Sequence, residues 1–149
     1  LVGQNLGANQ PERAAKSVWR AAIINAGVLG AVSVIFLVFS KPIIGFFTDE
    51  QAVLAYGTDS LHIVAYGFVF YAFGMVYEAA FNGAGDTWTP TWLNFFVFWL
   101  FEIPLAYVLA YQFNFGRKGV FWAITISFSV LAIVSALLFK RGKWKLKQV

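Results

Sequence analysis

Long apolar stretches separated by short polar joins dominate the chain. A helix needs roughly 20 residues to cross a hydrocarbon core of about 30 Å. Four stretches reach that length, at approximately residues 18–40, 60–82, 91–113 and 119–139, and the last carries no charged side chain. The pattern predicts an all-α integral membrane bundle of four transmembrane helices.

The polar join before the second stretch is predicted to contain a short helix along the membrane surface. Thr48 and Gln51 have the spacing of a capping box, and Gly57 is a typical helix terminator. We therefore expect an interfacial helix over approximately residues 49–56.

The start of the chain has helix-boundary residues of its own. Residues 1–8 are typical of the tail of a helix that ends at Gly7. Pro11 is suited to the first position of the next helix, with Asn9 or Gln10 as its cap. We recognise no signal peptide ahead of the first apolar stretch, and we expect the chain to be part of a longer protein.

Composition agrees with lipid as the main solvent. Hydrophobic residues make up 60% of the chain and charged residues 12%, against roughly 25% charged in an average soluble domain. The chain has no cysteine, which excludes disulfides and thiolate metal sites, and no metal site is predicted. The net charge of +4 does not indicate nucleic-acid binding, because the cations lie at the chain ends and in the joins.

The distribution of lysine and arginine predicts the orientation. Eight of them fall on the side that holds both chain ends and three on the other, so the positive-inside rule predicts cytoplasmic termini. The basic tail over residues 140–149 is interpreted as a topology anchor. Interfacial belt positions are predicted for five tryptophans: Trp19, Trp88, Trp92, Trp122 and Trp144.

Glu102 is the leading candidate for chemistry. It lies near the centre of the third stretch, where an ionised carboxylate is costly and normally faces a bundle interior or a wet cavity. Asn94 and Phe98 precede it at helical spacing and predict a polar track, while Pro104 is expected to bend the helix beside it. Two interpretations stay open: an acid that exchanges a proton, or a neutral glutamic acid that makes one interhelical hydrogen bond.

Other candidates lie on the first three stretches. Glu78 shares a face with Gly67, Tyr71 and Gly74. This pattern predicts that the helix packs closely along that face and that the Glu78 carboxyl lies on the same face. Asn25 is predicted to bridge helices. Trp99 is deep enough to line a cavity for aromatic cations.

Two loop segments carry a family resemblance. Residues 2–8 followed by 11–14, and residues 82–87 followed by Pro90 and Asn94, resemble members of the multidrug and toxic compound extrusion (MATE) family. The loop residues concerned are Gly3, Gln4, Gly7, Gly83, Gly85 and Asp86.

The resemblance implies a fragment of a twelve-helix transporter, covering the C-terminal portion of its second six-helix lobe. It implies secondary active efflux of cationic or aromatic drugs by antiport with protons or sodium through alternating access, with no enzymatic activity and no cofactor besides the coupling ion. The implied partners are the lipid bilayer, the small-molecule substrates and the missing N-terminal part of the parent, in a bacterial plasma membrane. Some sodium-type members use an acid in the stretch corresponding to residues 67–74, which has none here, so Glu102 and Glu78 become the coupling candidates.

Two alternatives were weighed. A lipid-linked sugar flippase of the same broad clan would share the helix count, but its cavity should be cationic and these stretches hold no central lysine or arginine. Residues 83–86 also match the GxGD pattern of intramembrane aspartyl proteases, whose chemistry needs two neighbouring carboxylates. Asp59 is predicted on the opposite side of the membrane from Asp86, which disfavours this alternative.

Overall fold

The computed structural model describes residues 1–146, and residue 146 is described by its backbone alone. Every regular element in that range is helical. A short helix, Val2–Gly7, precedes four long ones. These are the first to fourth spanning helices, Pro11–Gly45, Gln51–Gly83, Trp88–Gln112 and Arg117–Lys140. All four are long and apolar enough to cross a membrane, which confirms the predicted all-α architecture. Lys147 and the other tail residues beyond 146 lie outside the described range.

The second and fourth spanning helices form the centre of the bundle. The first helix packs on the second, and the third packs on the fourth. The most apolar windows of the second and fourth helices are 39% and 33% buried, against 11% in the first and in the third. The two outer helices therefore leave broad apolar surfaces uncovered.

Small residues let the two central helices approach closely. A Cβ atom on Gly67 would lie 2.9 Å from Thr125 Cγ2, and one on Gly74 would lie 3.7 Å from Ala132 Cα. Close backbone approach is the usual basis of helix association in lipid. The face predicted from Gly67 and Gly74 is thus confirmed as a packing face.

Side-chain hydrogen bonds to backbone carbonyls join the helices. Asn25 Nδ2 donates to the carbonyl of Ala72 over 3.1 Å, which confirms the predicted bridge. Two hydroxyls act in the same way, with Ser33 Oγ donating to Ala65 and Thr125 Oγ1 to Ile63. Such bonds stabilise helix pairs by about 0.6 kcal/mol on average in lipid.

The predicted separate interfacial helix at residues 49–56 is wrong. The second spanning helix runs without a break from Gln51 to Gly83 and is preceded by Glu50 as its cap. Thr48 makes no capping box, since its Oγ1 accepts from the amide of Glu50, two residues on, over 3.2 Å. Gly57 does not end a helix but lies inside this one. Its lack of a side chain allows close contact with the first spanning helix, since a Cβ there would lie 2.9 Å from Ile44 Cγ2.

The third spanning helix contains two widened segments. Residues Phe95–Glu102 and Val108–Gln112 form π-helical turns on either side of the α-helical turn Ile103–Tyr107. Proline cannot donate to the carbonyl four residues earlier, and wide turns are one way to accommodate the missing donor. At Pro104 the helical pitch changes, while the dihedral angles at Ile103 stay helical.

Trp144 is a buried core residue and not the belt anchor that was predicted. Only 1% of it is exposed, its ring stacks on Phe139 at 4.4 Å, and its Nε1 donates to the Phe139 carbonyl. It joins a buried cluster with Leu6, Ala14, Phe81 and Ala84 from other segments. The first part of the basic tail is therefore folded onto the bundle, where Lys145 also forms an ion pair with Glu12 at 2.6 Å.

Candidate functional site

Glu102 faces the interior of the bundle, as expected, and its neighbour is Ser127 of the fourth helix. The Ser127 hydroxyl lies close enough to the carboxyl to interact with it. However, Glu102 Oε2 and Ser127 Oγ are both buried, and neither makes a hydrogen bond of regular geometry. An acid and a hydroxyl thus face each other with unused hydrogen-bonding capacity.

Glu78 lies in a second polar cluster, nearer the side that holds the chain ends. Its side chain faces Asn94 of the third helix, and its Oε1 is buried without a hydrogen-bond partner. Its position near the end of the second apolar stretch predicts a carboxyl within reach of water at the interface. In the structure it is instead half-buried between the second and third helices.

Three aromatic rings meet where the second, third and fourth spanning helices pack together. Phe128 of the fourth helix contacts Tyr71 edge to face at 4.6 Å and Phe98 at 5.2 Å. A cleft of about 170 Å³ adjoins them and is lined by Tyr71, Phe128, Gly67, Thr125 and three apolar neighbours. The predicted track over Asn94, Phe98 and Glu102 therefore faces the bundle interior, with an aromatic group in its middle.

Two other candidates lie away from these acids. Trp99 is 65% exposed and lines none of the cavities described for the chain. The Asn25 amide is engaged with the second helix.

The loop residues that carried the family resemblance form the end of the bundle near the chain termini. Gly3, Gln4 and Gly7 lie within the helix Val2–Gly7 and not in a loop. Gly83 ends the second helix against Val2, and Gly85 adopts a positive φ of 75°. Asp86 orders the following turn, with its Oδ2 accepting from Thr89 Oγ1 at 2.7 Å. Thr87 occupies the N-cap position of the third spanning helix.

The aspartyl protease alternative fails on distance. Asp59 lies near the start of the helix Gln51–Gly83, and Asp86 lies beyond its end. A helix of about 25 residues separates the two carboxyls by roughly 40 Å. Asp59 instead pairs with Lys118 at 2.7 Å.

Across residues 1–146, no group of three His, Asp or Glu side chains is placed to hold a metal ion.

Sequence reasoning missed Ser127 and Ser135, both fully buried and both without a hydrogen-bond partner. Serines are common packing residues in membrane helices, so neither drew notice. The informative signal is the absence of a partner, and only a three-dimensional arrangement reveals it.

These features define a class, an all-helical membrane-embedded segment with acidic groups inside the bundle. Comparison with known proteins then gives the family. The MatE family profile matches residues 1–108, and the chain belongs to the MatE family. This finding favours the MATE resemblance over the sugar flippase alternative.

Individual relatives come from bacteria and plants. The chain is 28% identical to the Probable multidrug resistance protein YoeA of Bacillus subtilis, covering 100% of the chain and 32% of that protein. It is 28% identical to Protein DETOXIFICATION 30 of Arabidopsis thaliana, covering 96% of the chain and 29% of that protein. The chain thus spans about a third of the length of the relatives it matches.

One solved structure has the same fold. The MATE transporter ClbM in complex with Rb+ superposes with a TM-score of 0.89 at 22% identity. The match covers 99% of this chain and 35% of that one. At this identity the likeness shows the fold alone.

Proposed function

We propose that the chain is the C-terminal portion of the second six-helix lobe of an antiporter. The whole protein exports cationic or aromatic small molecules in exchange for protons or sodium by alternating access. Support comes from the family match and from relatives named as multidrug resistance proteins. The fraction of each relative that is matched supports a missing N-terminal part as the chain's main partner.

One observation carries the proposal: the buried carboxyl of Glu102 in the middle of a spanning helix. Inserting an acid there costs about 2.5 to 3.5 kcal/mol, and this acid also leaves one oxygen without a hydrogen bond. Structural packing gains nothing from such an arrangement. A group that binds and releases the coupling ion suits this position, because its free oxygen can take up a proton or a cation.

Glu102 acts beside the widened turns of the third helix. Binding of a proton or cation removes the charge from the carboxyl and with it the need for water nearby. The loss of charge favours a drier, tighter packing of this helix against Ser127, and release reverses the change. Because wide turns occur often at functional sites, Phe95–Glu102 is the segment we assign to this change in packing.

The test uses the full-length parent reconstituted in liposomes. Glu102→Gln keeps the size of the side chain and removes its titration, so substrate-driven counter-ion flux should fall by at least roughly tenfold. Glu50→Gln is the matched control, since Glu50 is exposed at a helix start. Transport by Glu102→Gln at the parental rate and stoichiometry would discard the proposal.

We propose a bacterial plasma membrane with both ends of this segment in the cytoplasm. The excess of cations on the side of the chain ends supports this orientation. The chain has no cysteine, so single cysteines can be placed in a parent stripped of any others. Asn9→Cys should react with an impermeant maleimide only after the membrane is opened, and Gln51→Cys in intact cells. The reverse pattern would overturn the orientation.

A further inference from the structure

Phe128 marks a junction of three spanning helices. Its ring contacts Tyr71 of the second helix and Phe98 of the third. Ser135 follows seven residues later, which is about two helical turns and the same side of the fourth helix. Ser135 is 0% exposed. It therefore lies in the same junction, about 10 Å nearer the side of the chain ends.

The register of the helices brings Ser135 to the level of Glu78. The second and fourth helices run in the same direction, and Gly74 packs directly against Ala132. Glu78 lies four residues beyond Gly74, and Ser135 lies three residues beyond Ala132. Asn94 faces Glu78 from the third helix. We name these three residues, Glu78, Asn94 and Ser135, the terminal-side station.

Glu102 and Ser127 form a second group, the central station. Ser127 lies eight residues before Ser135 on the fourth helix, a separation of about 12 Å along its axis. The aromatic barrier is defined as Tyr71, Phe98 and Phe128. Phe98 lies between the stations, four residues from Asn94 and four from Glu102, and Phe128 and Tyr71 extend the barrier at the level of the central station. The junction thus alternates polar, aromatic and polar levels.

Each station holds two buried oxygen atoms without hydrogen-bond partners. They are Glu78 Oε1 and Ser135 Oγ at one level, and Glu102 Oε2 and Ser127 Oγ at the other. Buried polar groups nearly always have a partner, and exceptions call for a water, an ion or a functional explanation. In a spanning bundle no surrounding water relieves them. The four atoms lie at two levels of one junction and leave hydrogen-bonding capacity that water can use while a proton passes.

We propose that this junction is a proton relay between Glu78 and Glu102, with the two serines as positioning residues and the aromatic barrier as its gate. The proposal rests on the antiporter function proposed above. A proton leaves the carboxyl of one station, passes along ordered water held by a serine hydroxyl, and protonates the carboxylate of the other. Only O–H bonds break and form, so no other reactant is needed. Rotation of Phe128 toward the adjoining cleft opens the path.

Few other ionisable groups bear on the relay. The three helices bring Glu78, Glu102 and the Tyr71 phenol to the junction. Tyr77 packs toward the first helix, beside Val18. Lys140 lines a separate cleft on that side. The relay therefore depends on the two carboxyls, with one phenol between them.

The serines give the sharpest test, in the full-length parent reconstituted with a pH dye trapped inside the liposomes. Ser127→Ala and Ser135→Ala should each lower substrate-driven proton flux by roughly tenfold, because each removes the hydroxyl that would hydrogen-bond the water of the relay. Their melting temperatures should stay the same or rise, because an unpartnered buried hydroxyl is removed. Ser129→Ala is the matched control, since Ser129 Oγ already donates to the Thr125 carbonyl at 2.8 Å. Flux at the control rate in both variants would overturn the relay.

The aromatic barrier gives a second test, in which the expected change is a gain of proton flux instead of a loss. Phe128→Ala should let protons leak in the absence of substrate, and adding Glu78→Gln should abolish the leak. Phe128→Leu, a milder change, is measured alongside in case the alanine variant does not fold. A leak that survives Glu78→Gln, or that follows sodium instead of the pH gradient, contradicts the relay.

If the serine variants behave like the control while Glu102→Gln loses coupling, the relay fails and the antiporter proposal stands. If Glu102→Gln transports normally, the antiporter proposal itself fails.

Discussion

Gly67→Ala should separate the two central helices. The new methyl carbon would lie 2.9 Å from Thr125 Cγ2, well inside the 3.5–4.0 Å at which carbon atoms make favourable contact. Either the helices move apart or the Thr125 side chain rotates. Rotation would break its 3.0 Å hydrogen bond to the Ile63 carbonyl.

The magnitude follows from these two terms. Overpacking costs about 1 to 3 kcal/mol, and an interhelical hydrogen bond in lipid contributes about 0.6 kcal/mol, with a maximum near 1.7. The higher helix propensity of alanine offsets about 1 kcal/mol. The net expectation is a destabilisation of about 1 to 3 kcal/mol.

Gly74→Ala is the matched control on the same helix face. Its methyl would lie 3.7 Å from Ala132 Cα, an ordinary contact, so it should be neutral or stabilise by up to about 1 kcal/mol. Both variants are measured as thermal melts in one detergent, read by size-exclusion of the heated samples. Equal shifts for the two glycines would refute the packing argument.

A double variant tests the named atom. Thr125→Ser deletes Cγ2 and keeps the hydroxyl, so it should restore most of the stability lost in Gly67→Ala. The coupling in this double-mutant cycle should be favourable and exceed about 0.5 kcal/mol. A double variant no better than Gly67→Ala alone would show that another contact sets the spacing.

Three further predictions use the same melting assay. Gly119→Ala should cost about 3 kcal/mol or more of stability. Its methyl would lie 2.7 Å from the backbone nitrogen of Ala110, which cannot rotate away. A smaller loss of stability than in the Gly67 variant would contradict this. Trp144→Ala should cost about 3 to 5 kcal/mol, whereas Lys145→Ala should cost at most about 1 kcal/mol, because the carboxylate of its ion pair is largely exposed; similar shifts for the two would mean that the ring is not the anchor. Asn25→Ala should cost between about 0.6 and 1.7 kcal/mol, and no change would mean that its interhelical bond is not formed in the membrane.

The spans could be predicted because the length of an apolar stretch is a local property. Nothing beyond the run of apolar residues from 119 to 139 is needed to expect a crossing there. The packing face at Gly67 and Gly74 was predictable for a related reason, since small residues at helical spacing have few other uses in lipid.

The wrong predictions concern residues whose roles are set by contacts with residues far away in the sequence. Gly57 looked like a terminator, but its lack of a side chain serves contact with Ile44 of another helix. Trp144 looked like an interfacial anchor, and its burial depends on segments more than 60 residues away, including Phe81. Sequence spacing gives no information on either partner.

The candidate site was half predictable. Helical spacing correctly placed Asn94, Phe98 and Glu102 on one side of the third helix. Their partners on the fourth helix were not predictable, because the widened turns of Phe95–Glu102 shift the phase of that helix. An average pitch of 3.6 residues per turn therefore could not identify Ser127 as the residue facing the acid.

The burial of Trp144 has a consequence for biosynthesis. Membrane helices insert one after another as the ribosome extends the chain, yet the cluster that unites Leu6, Phe81 and Trp144 needs residues from both ends of this segment. Until the indole is synthesised, Leu6 and Phe81 lie in an incomplete cluster that is open to water or to a chaperone. The last contact made in assembly is therefore the one that brings the most distant parts of the segment together.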